Sequence, residues 1–486
     1  MGLSDGPLVS DGRHIRERIL YLLLPCAGSV NIMKLLTKTC LVLVAVVGLA
    51  PLFGQSAIPP VLSLDDAIAI AATDNPQVEM AQAKQGEARA GARSSRSALL
   101  PKIGVSETFI DSTDPVFAFG ARLRQGRFTA GDLSLGTLNY PPPTSDFTSA
   151  AGATWMVFDS GRTLNLLRSA HTNAEAAAQQ TVAARQDVAF AVVRAYYRAL
   201  LADQEKITTA AAVERARSFA KQAHDRVDTG MALAADGMQA DVEVSQRAQD
   251  AAEAESNALV AYADLAGVLG DTSKTLVLAV TEGNPGDIAA SIDELQSLAL
   301  RRRPDLIAAR TQIVAAAQSL RSSRDAFGPQ VSTFANLESD NPHLTGGGNN
   351  NWTVGAKVEL QLFDGGERRA QVSKAAAQQQ MAEASYRQAV IQAGLGVKRA
   401  YYARQTAERQ FGISGEILRK TQETLRTSLD RYTTGLVVID DVLREQEQLR
   451  SVELNRVESL YQWWIADAQL RLATGDMNIK GSGVHP

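Results

Sequence analysis

Nothing in this 486-residue chain has the spacing of a bond-making site. There is no HExxH, no GxSxG and no Walker sequence; Gly267 to Gly270 followed by Lys274 lacks the spacing of a phosphate loop and reads as a helix end. The histidines, His14, His171, His224, His343 and His485, are scattered, so no metal site, no cofactor site and no catalytic residue is expected, and the chain is read as a non-enzyme. What chemistry remains is carried by charge and by one phenol. Asp236, Asp440 and Asp441 lie in two glycine-containing turns, 228–237 and 433–441, and Tyr432 immediately precedes the second. Carboxylates placed there can cap helix N-termini. They can also repel one another or gather cations if several copies meet around an axis.

These turns belong to a chain that says nearly the same thing twice. SLDDAIAIAATDNP, Ser63 to Pro76, returns as SIDELQSLALRRRP, Ser291 to Pro304, and Pro101 returns as Pro329, both 228 positions on. A second register of 205 matches FDSGR at Phe158 with FDGGE at Phe363, Arg194 to Tyr197 with Arg399 to Tyr402, DRVDTG at Asp225 with DRYTTG at Asp430, and Gly270 with Gly475. Matches held in one ungapped register imply two copies of one supersecondary unit, differing by an insertion between Pro101 and Phe158.

The expected organisation follows. Residues 1–32 read as an upstream extension before a start at Met33. Residues 33–57 read as a signal peptide, with Lys34 and Lys38, an apolar run Leu41 to Phe53 and small residues after it. Cys26 and Cys40 both fall in the segments removed with the signal, so the exported chain is expected to carry no cysteine; lipid attachment at either is the alternative, although neither follows the small residue typical of such sites. The first repeat spans 58–285, with a hairpin over 102–158, a long helix over 159–227 and a return helix over 236–270. The second spans 286–475, with a hairpin over 330–363, a long helix over 364–432 and a return helix over 441–475; 476–486 is a tail.

Ser63 with Asp65 and Asp66, and Ser291 with Asp293 and Glu294, mark helix starts that must end near Pro76 and Pro304. The long helices, free of proline, would each run about 100 Å. Val188, Val192, Ala195, Ala199 and Ala202 repeat at coiled-coil spacing on the first, and Val457, Tyr461, Trp464, Ala468 and Leu472 form a core seam near the end of the chain. From Trp352 to Leu362, apolar and polar residues alternate, which predicts a strand with one greasy and one wet face. The connection within the first hairpin, containing Pro141, Pro142 and Pro143, is expected to be a long loop. A formal net charge of −4 excludes a bulk basic surface for nucleic acid.

Export plus a half-greasy hairpin points to an outer-membrane β-barrel. Four strands cannot close one, and lipid does not tolerate open edges, so strands must be shared between subunits. At this point the chain resembles the TolC-like outer-membrane efflux protein family (outer membrane factors), through the doubled proline-ended helices, FDSGR and FDGGE, and RYTTGLVVIDDVL at Arg431 to Leu443. The resemblance implies a mainly α fold with a β-barrel part: a homotrimer whose long antiparallel helices form an α-barrel continuous with a shared 12-stranded barrel in outer-membrane lipid, the helices crossing the periplasm of a Gram-negative-type bacterium. It implies the exit duct of a tripartite efflux system, working with a periplasmic adaptor and an inner-membrane pump. The duct of a type I protein-secretion system has the same architecture, and an exported coiled-coil scaffold accounts for the helices but not for the strand at Trp352.

By the same resemblance, Tyr432 hydrogen-bonds Asp236 to hold the periplasmic entrance shut, and Asp441, beside Asp440, rings the constriction; loss of either gate partner is expected to leak. The bland alternative for these acids is helix capping. Val437 and Arg444 stand where the best-known member has an arginine and a second ring aspartate, which weakens the charge-linked half of that lock. Gly230, Met231, Gly435 and Leu436 would face the adaptor, or are ordinary turn residues. Trp155, Phe158, Trp352 and Phe363 would anchor the barrel at the membrane interfaces, or pack beneath it.

Overall fold

The computed structural model describes residues 61–270, 276–280, 283–288, 290–345 and 348–477. The expected upstream extension, the signal peptide, both cysteines and most of the tail lie outside them.

Each proline-ended motif folds as one short helix followed by a second. Helix α1 (Leu64–Asp74) begins at Ser63, whose hydroxyl accepts from the Asp66 amide at 3.1 Å. Asn75 then starts α2 (Pro76–Ser97), its side chain accepting from the Gln77 amide at 2.8 Å and donating to the Val268 carbonyl at 2.7 Å. In the second half, α7 (Ile292–Arg302) opens on a reciprocal Ser291 and Glu294 capping box, and α8 (Pro304–Asp325) follows at the proline.

The strands form one antiparallel sheet in the order β2 (Lys102–Ser112), β3 (Thr144–Phe158), β5 (Gln330–Asn341), β6 (Asn349–Glu359). A separate parallel pair, β1 (Val61–Leu62) with β4 (Val277–Leu278), ties the segment just before α1 to the link between the repeats. The predicted alternating strand ends at Glu359, so Leu360 and Leu362 lie beyond it. The expected loop of the first hairpin is a folded insert instead, with α3 (Pro115–Arg124), a 3₁₀ turn (Ala130–Leu133) and α4 (Leu135–Asn139). Asp114 accepting from the Phe117 amide at 2.7 Å, with proline in the first turn, starts α3.

Below the sheet run α5 (Arg162–Asp228) and α9 (Glu367–Thr433), each of 67 residues. The FDSGR and FDGGE motifs explain their starts. Asp159 accepts from the Thr163 amide at 2.7 Å, and Asp364 accepts from the amides of Gly366 at 3.0 Å and Arg368 at 3.1 Å. The return helices, α6 (Ala234–Leu269) and α10 (Ile439–Thr474), begin two residues earlier than expected because Leu233 and Val438 take the capping positions. Both end on left-handed glycines, which also allow close approach: a Cβ at Gly270 would lie 2.7 Å from the Asp74 carbonyl oxygen, and one at Gly475 would lie 2.9 Å from the Arg303 nitrogen.

Near the sheet, α5 packs on α2 and α8, and α8 on α9; toward the turns, α5 packs on α6 and α10, and α10 on α9. The row is therefore edged by α2 and α6 on one side and by α9 on the other. The central core joins the halves: Tyr197 stacks on Trp464 at 5.6 Å, and the Tyr196 hydroxyl donates to the Ala279 carbonyl at 2.7 Å. Burial pushes the Tyr196 phenol up to about 12. The predicted seams fall in this core, with Val188, Val192, Ala195, Ala199, Tyr461, Trp464 and Ala468 buried. Among the described residues, no helix is long and apolar enough to cross a membrane.

Candidate functional site: the helical turns and the sheet

The two turns lie side by side, and their core is small and apolar. Ala223, Ala240, Leu425, Ile439 and Val442 bury Tyr432, which is 3% exposed. Its ring lies 5.4 Å from that of Phe219. The Arg226 guanidinium stacks 4.8 Å above it and donates to the Thr433 carbonyl at 2.8 Å. The last turn of α5 thus grips the last turn of α9. Burial raises the Tyr432 phenol, with Arg226 opposing and Asp236 reinforcing the shift.

The expected Tyr432 to Asp236 hydrogen bond is not formed in this chain. The Tyr432 hydroxyl has no hydrogen-bond partner among the described residues. Asp236, in the first turn of α6, instead accepts from the Leu233 amide at 3.2 Å. The capping alternative for this acid is therefore realised, because the apolar Leu233 cannot satisfy the helix start with its own side chain. Asp440 accepts from the side-chain amide of Gln239, joining α10 to α6. Asp441 pairs with Arg444 one turn further along α10, an exposed ion pair.

Sequence reasoning missed two residues here. Arg226 stands in the 205-residue register opposite Arg431, and that match was the signal that could have found it. His224 faces Asp241, with both carboxylate oxygens 3.1 Å from Nε2, and packs against Gly237, where a Cβ would sit 3.0 Å from the imidazole. At the turns, Gly230 and Gly435 adopt φ of 70° and 77° with nothing near the absent side chain, so backbone conformation alone selects glycine. Met231, Leu233, Leu436 and Val438 stay exposed.

At the other end, the sheet register sorts residues onto two faces. Val105, Ala151, Leu337 and Trp352 share one rung, and Ile103, Ala153, Ala335 and Val354 the next on the same face. The opposite face carries Ser106, Ala150, Glu338 and Asn351 on one rung and Gly104, Gly152, Asn336 and Thr353 on another. One face is greasy, the other wet, and the outer sides of β2 and β6 have no strand partner among the described residues. Trp155 lies at the helix-proximal end and donates to the Leu99 carbonyl at 2.9 Å. Phe158 lies at the same end, Phe363 beyond β6, and Trp352 in the distal half; the last two are the more exposed.

A half-greasy four-stranded sheet standing on two 67-residue helices, one hairpin and one long helix from each half of the chain, defines the class. The chain belongs to the outer membrane efflux protein family, which it matches over residues 67–271 and 295–476, one stretch in each half. Among curated relatives it is similar to Protein CyaE of Bordetella pertussis, 28% identical over 419 residues that cover 84% of either chain. It is also similar to the antibiotic efflux pump outer membrane protein ArpC of Pseudomonas putida, 27% identical over 214 residues, 41% of this chain and 43% of that one. Its fold is that of the Campylobacter jejuni CmeC outer membrane channel, with a TM-score of 0.73 at 18% identity, covering 86% of this chain and 87% of the other.

Proposed function

We propose that this chain is one third of an outer-membrane duct, the passive exit of a tripartite efflux system driven by an inner-membrane pump through a periplasmic adaptor. The observation that carries this reading is the sheet: an apolar face, a polar face and two unpaired edges make sense only when further strands complete a barrel around water. Three chains supply twelve strands, the greasy face meets lipid, and the polar face lines the lumen. Ile391, Leu395, Tyr402, Ile413 and Ile417 support the assembly. They are exposed on α9 at steps of four, seven and eleven, one stripe along the edge helix that a second copy covers.

In this reading the turns form the periplasmic tip. Tyr432, Asp236, Asp440 and Asp441 belong to its gate, with Arg226 as the clasp between the two hairpins. Gly230, Met231, Gly435 and Leu436 offer the adaptor an apolar knuckle, and Trp155, Phe158, Trp352 and Phe363 mark the bilayer levels. The mass of the detergent-solubilised particle tests the assembly, and planar-bilayer conductance tests the pore. A stable monomer, or a trimer without conductance even when both the tip and the 113–143 insert are disrupted, overturns the reading. The pump and adaptor that co-purify with the chain then identify its cargo class.

A further inference from the structure

We infer that the insert between β2 and β3 is a lid that closes the outer mouth of the duct, a second gate in series with the tip. This rests on the duct reading for the identity of the lumen face. The equivalent connection between β5 and β6 spans only residues 342–348, whereas the insert spans 113–143 and folds into helices.

The insert is fastened to the polar face of the sheet. Gln125, just past α3, is buried and donates through Nε2 to the Asp146 carboxylate and to the Ser145 carbonyl, both at 2.9 Å. Arg124 reaches to 3.9 Å from Asp340, a carboxylate with no exposed surface. Asp340 also accepts from the Thr148 hydroxyl at 3.1 Å and from the Asn351 amide at 3.2 Å. Asp146, Thr148, Asp340 and Asn351 all belong to the wet face near the distal ends of their strands. Two buried carboxylates thus depend on the insert for cover, and they hold it over the lumen rather than against lipid. The insert is braced internally by the Arg122 to Asp132 pair and by Phe119 against Phe128.

Size decides whether such a lid closes anything. Twelve strands spaced about 4.8 Å apart and tilted about 40° enclose a backbone cylinder about 24 Å across. Three helices each about 10 Å in diameter, gathered around one axis, fill a circle about 22 Å across. Three copies of α3 therefore occupy nearly the whole mouth.

The test probes the lumen from outside the cell, where the periplasmic tip has no influence. Asn336→Cys, on the wet face about 13 Å along the strand from Asp340, is exposed in intact cells to a small maleimide and to a bulky polyethylene glycol maleimide, with the unsubstituted chain as background. The bulky reagent is expected to react about tenfold faster when residues 115–141 are replaced by a short glycine and serine linker, and also in the milder Arg124→Ala, Gln125→Ala variant, which leaves the insert's own fold intact. Equal labelling with and without the insert, in a particle shown to be a conducting trimer, overturns the lid alone. No labelling by the small reagent in the linker variant overturns the assignment of the lumen face. Absence of a trimer or of conductance removes the duct reading on which the lid stands.

Discussion

Tyr432 is held by its ring and not by its hydroxyl, which changes what its substitutions should do. Tyr432→Phe removes a buried group that has no partner among the described residues, so stability should stay within about 1 kcal/mol of the parent and closed-state conductance should be unchanged. Arg226→Ala removes the stacked cation and its bond to the Thr433 carbonyl, together about 1–2 kcal/mol. With residues 115–141 replaced by the linker so that the outer mouth is open, the open probability in planar bilayers should rise about tenfold; an unchanged value would show that Arg226 clasps nothing. Arg444→Ala frees Asp441 from its partner, and a multivalent cation added on the tip side should block the pore at a severalfold lower concentration. Sequence located this neighbourhood, since Tyr432 and Asp236 do lie at adjacent turns. It missed the contact itself, because the rotations of α5 and α6 about their own axes decide whether Arg226 or Asp236 faces the ring, and local sequence does not set those rotations.

At the scale of elements, the most informative joints are those where backbone meets backbone. Gly270→Ala drives a methyl into the Asp74 carbonyl and should cost about 1–3 kcal/mol, read as a lowered thermal midpoint. Gly230→Ala, with open space around it, should cost only the left-handed backbone penalty of about 1 kcal/mol. A charged cluster joins α6 to α10, where Arg247 and Arg450 both reach Glu447. Hydrogen bonding from Arg450 holds the Glu447 carboxyl below its usual range. A depressed acid stabilises the fold above its unfolded pKa, about 4.3. That contribution is lost as pH falls through the lower folded value, so amide protection factors (observed exchange corrected for the intrinsic pH dependence) in this part of α6 and α10 should fall below about pH 4 and stay level between about pH 5 and 8. Most elements were legible from proline, caps and periodicity. The insert was not, although Asp114, Pro115 and Gly126 carry the same start and stop signals as the other helices; three consecutive prolines at Pro141 to Pro143 drew the reading toward a loop.

For the whole molecule, the decisive surfaces are the ones a single chain leaves uncovered. Ile391→Asp with Ile413→Asp places two charges in the exposed stripe of α9. If that stripe is the seam between copies, light scattering should show the particle shifting to monomer while its helical signal persists; an unaltered trimer would place the seam elsewhere. The alternating pattern at Trp352 to Val358 was enough to foresee the greasy and wet faces of β6, because a period of two survives any arrangement of neighbours. Which strands adjoin which depends on contacts far apart in the chain, such as β3 beside β5, and only the folded structure displays them.

Those distant contacts set a timetable for the chain's manufacture. The opening turns of α5 are fastened by late arrivals: Ser322 donates to the Arg162 carbonyl and Asn165 to Asp325, while further along the helix Gln186 donates to the Gly475 carbonyl. Trp464, near the far end, completes the stack on Tyr197. The first half therefore cannot settle when it emerges. It must wait, with its Ala-rich seam unsheltered, until the final helix has been delivered, so a ribosome stalled before Trp464 leaves a chain fit for proteolysis and not half a duct.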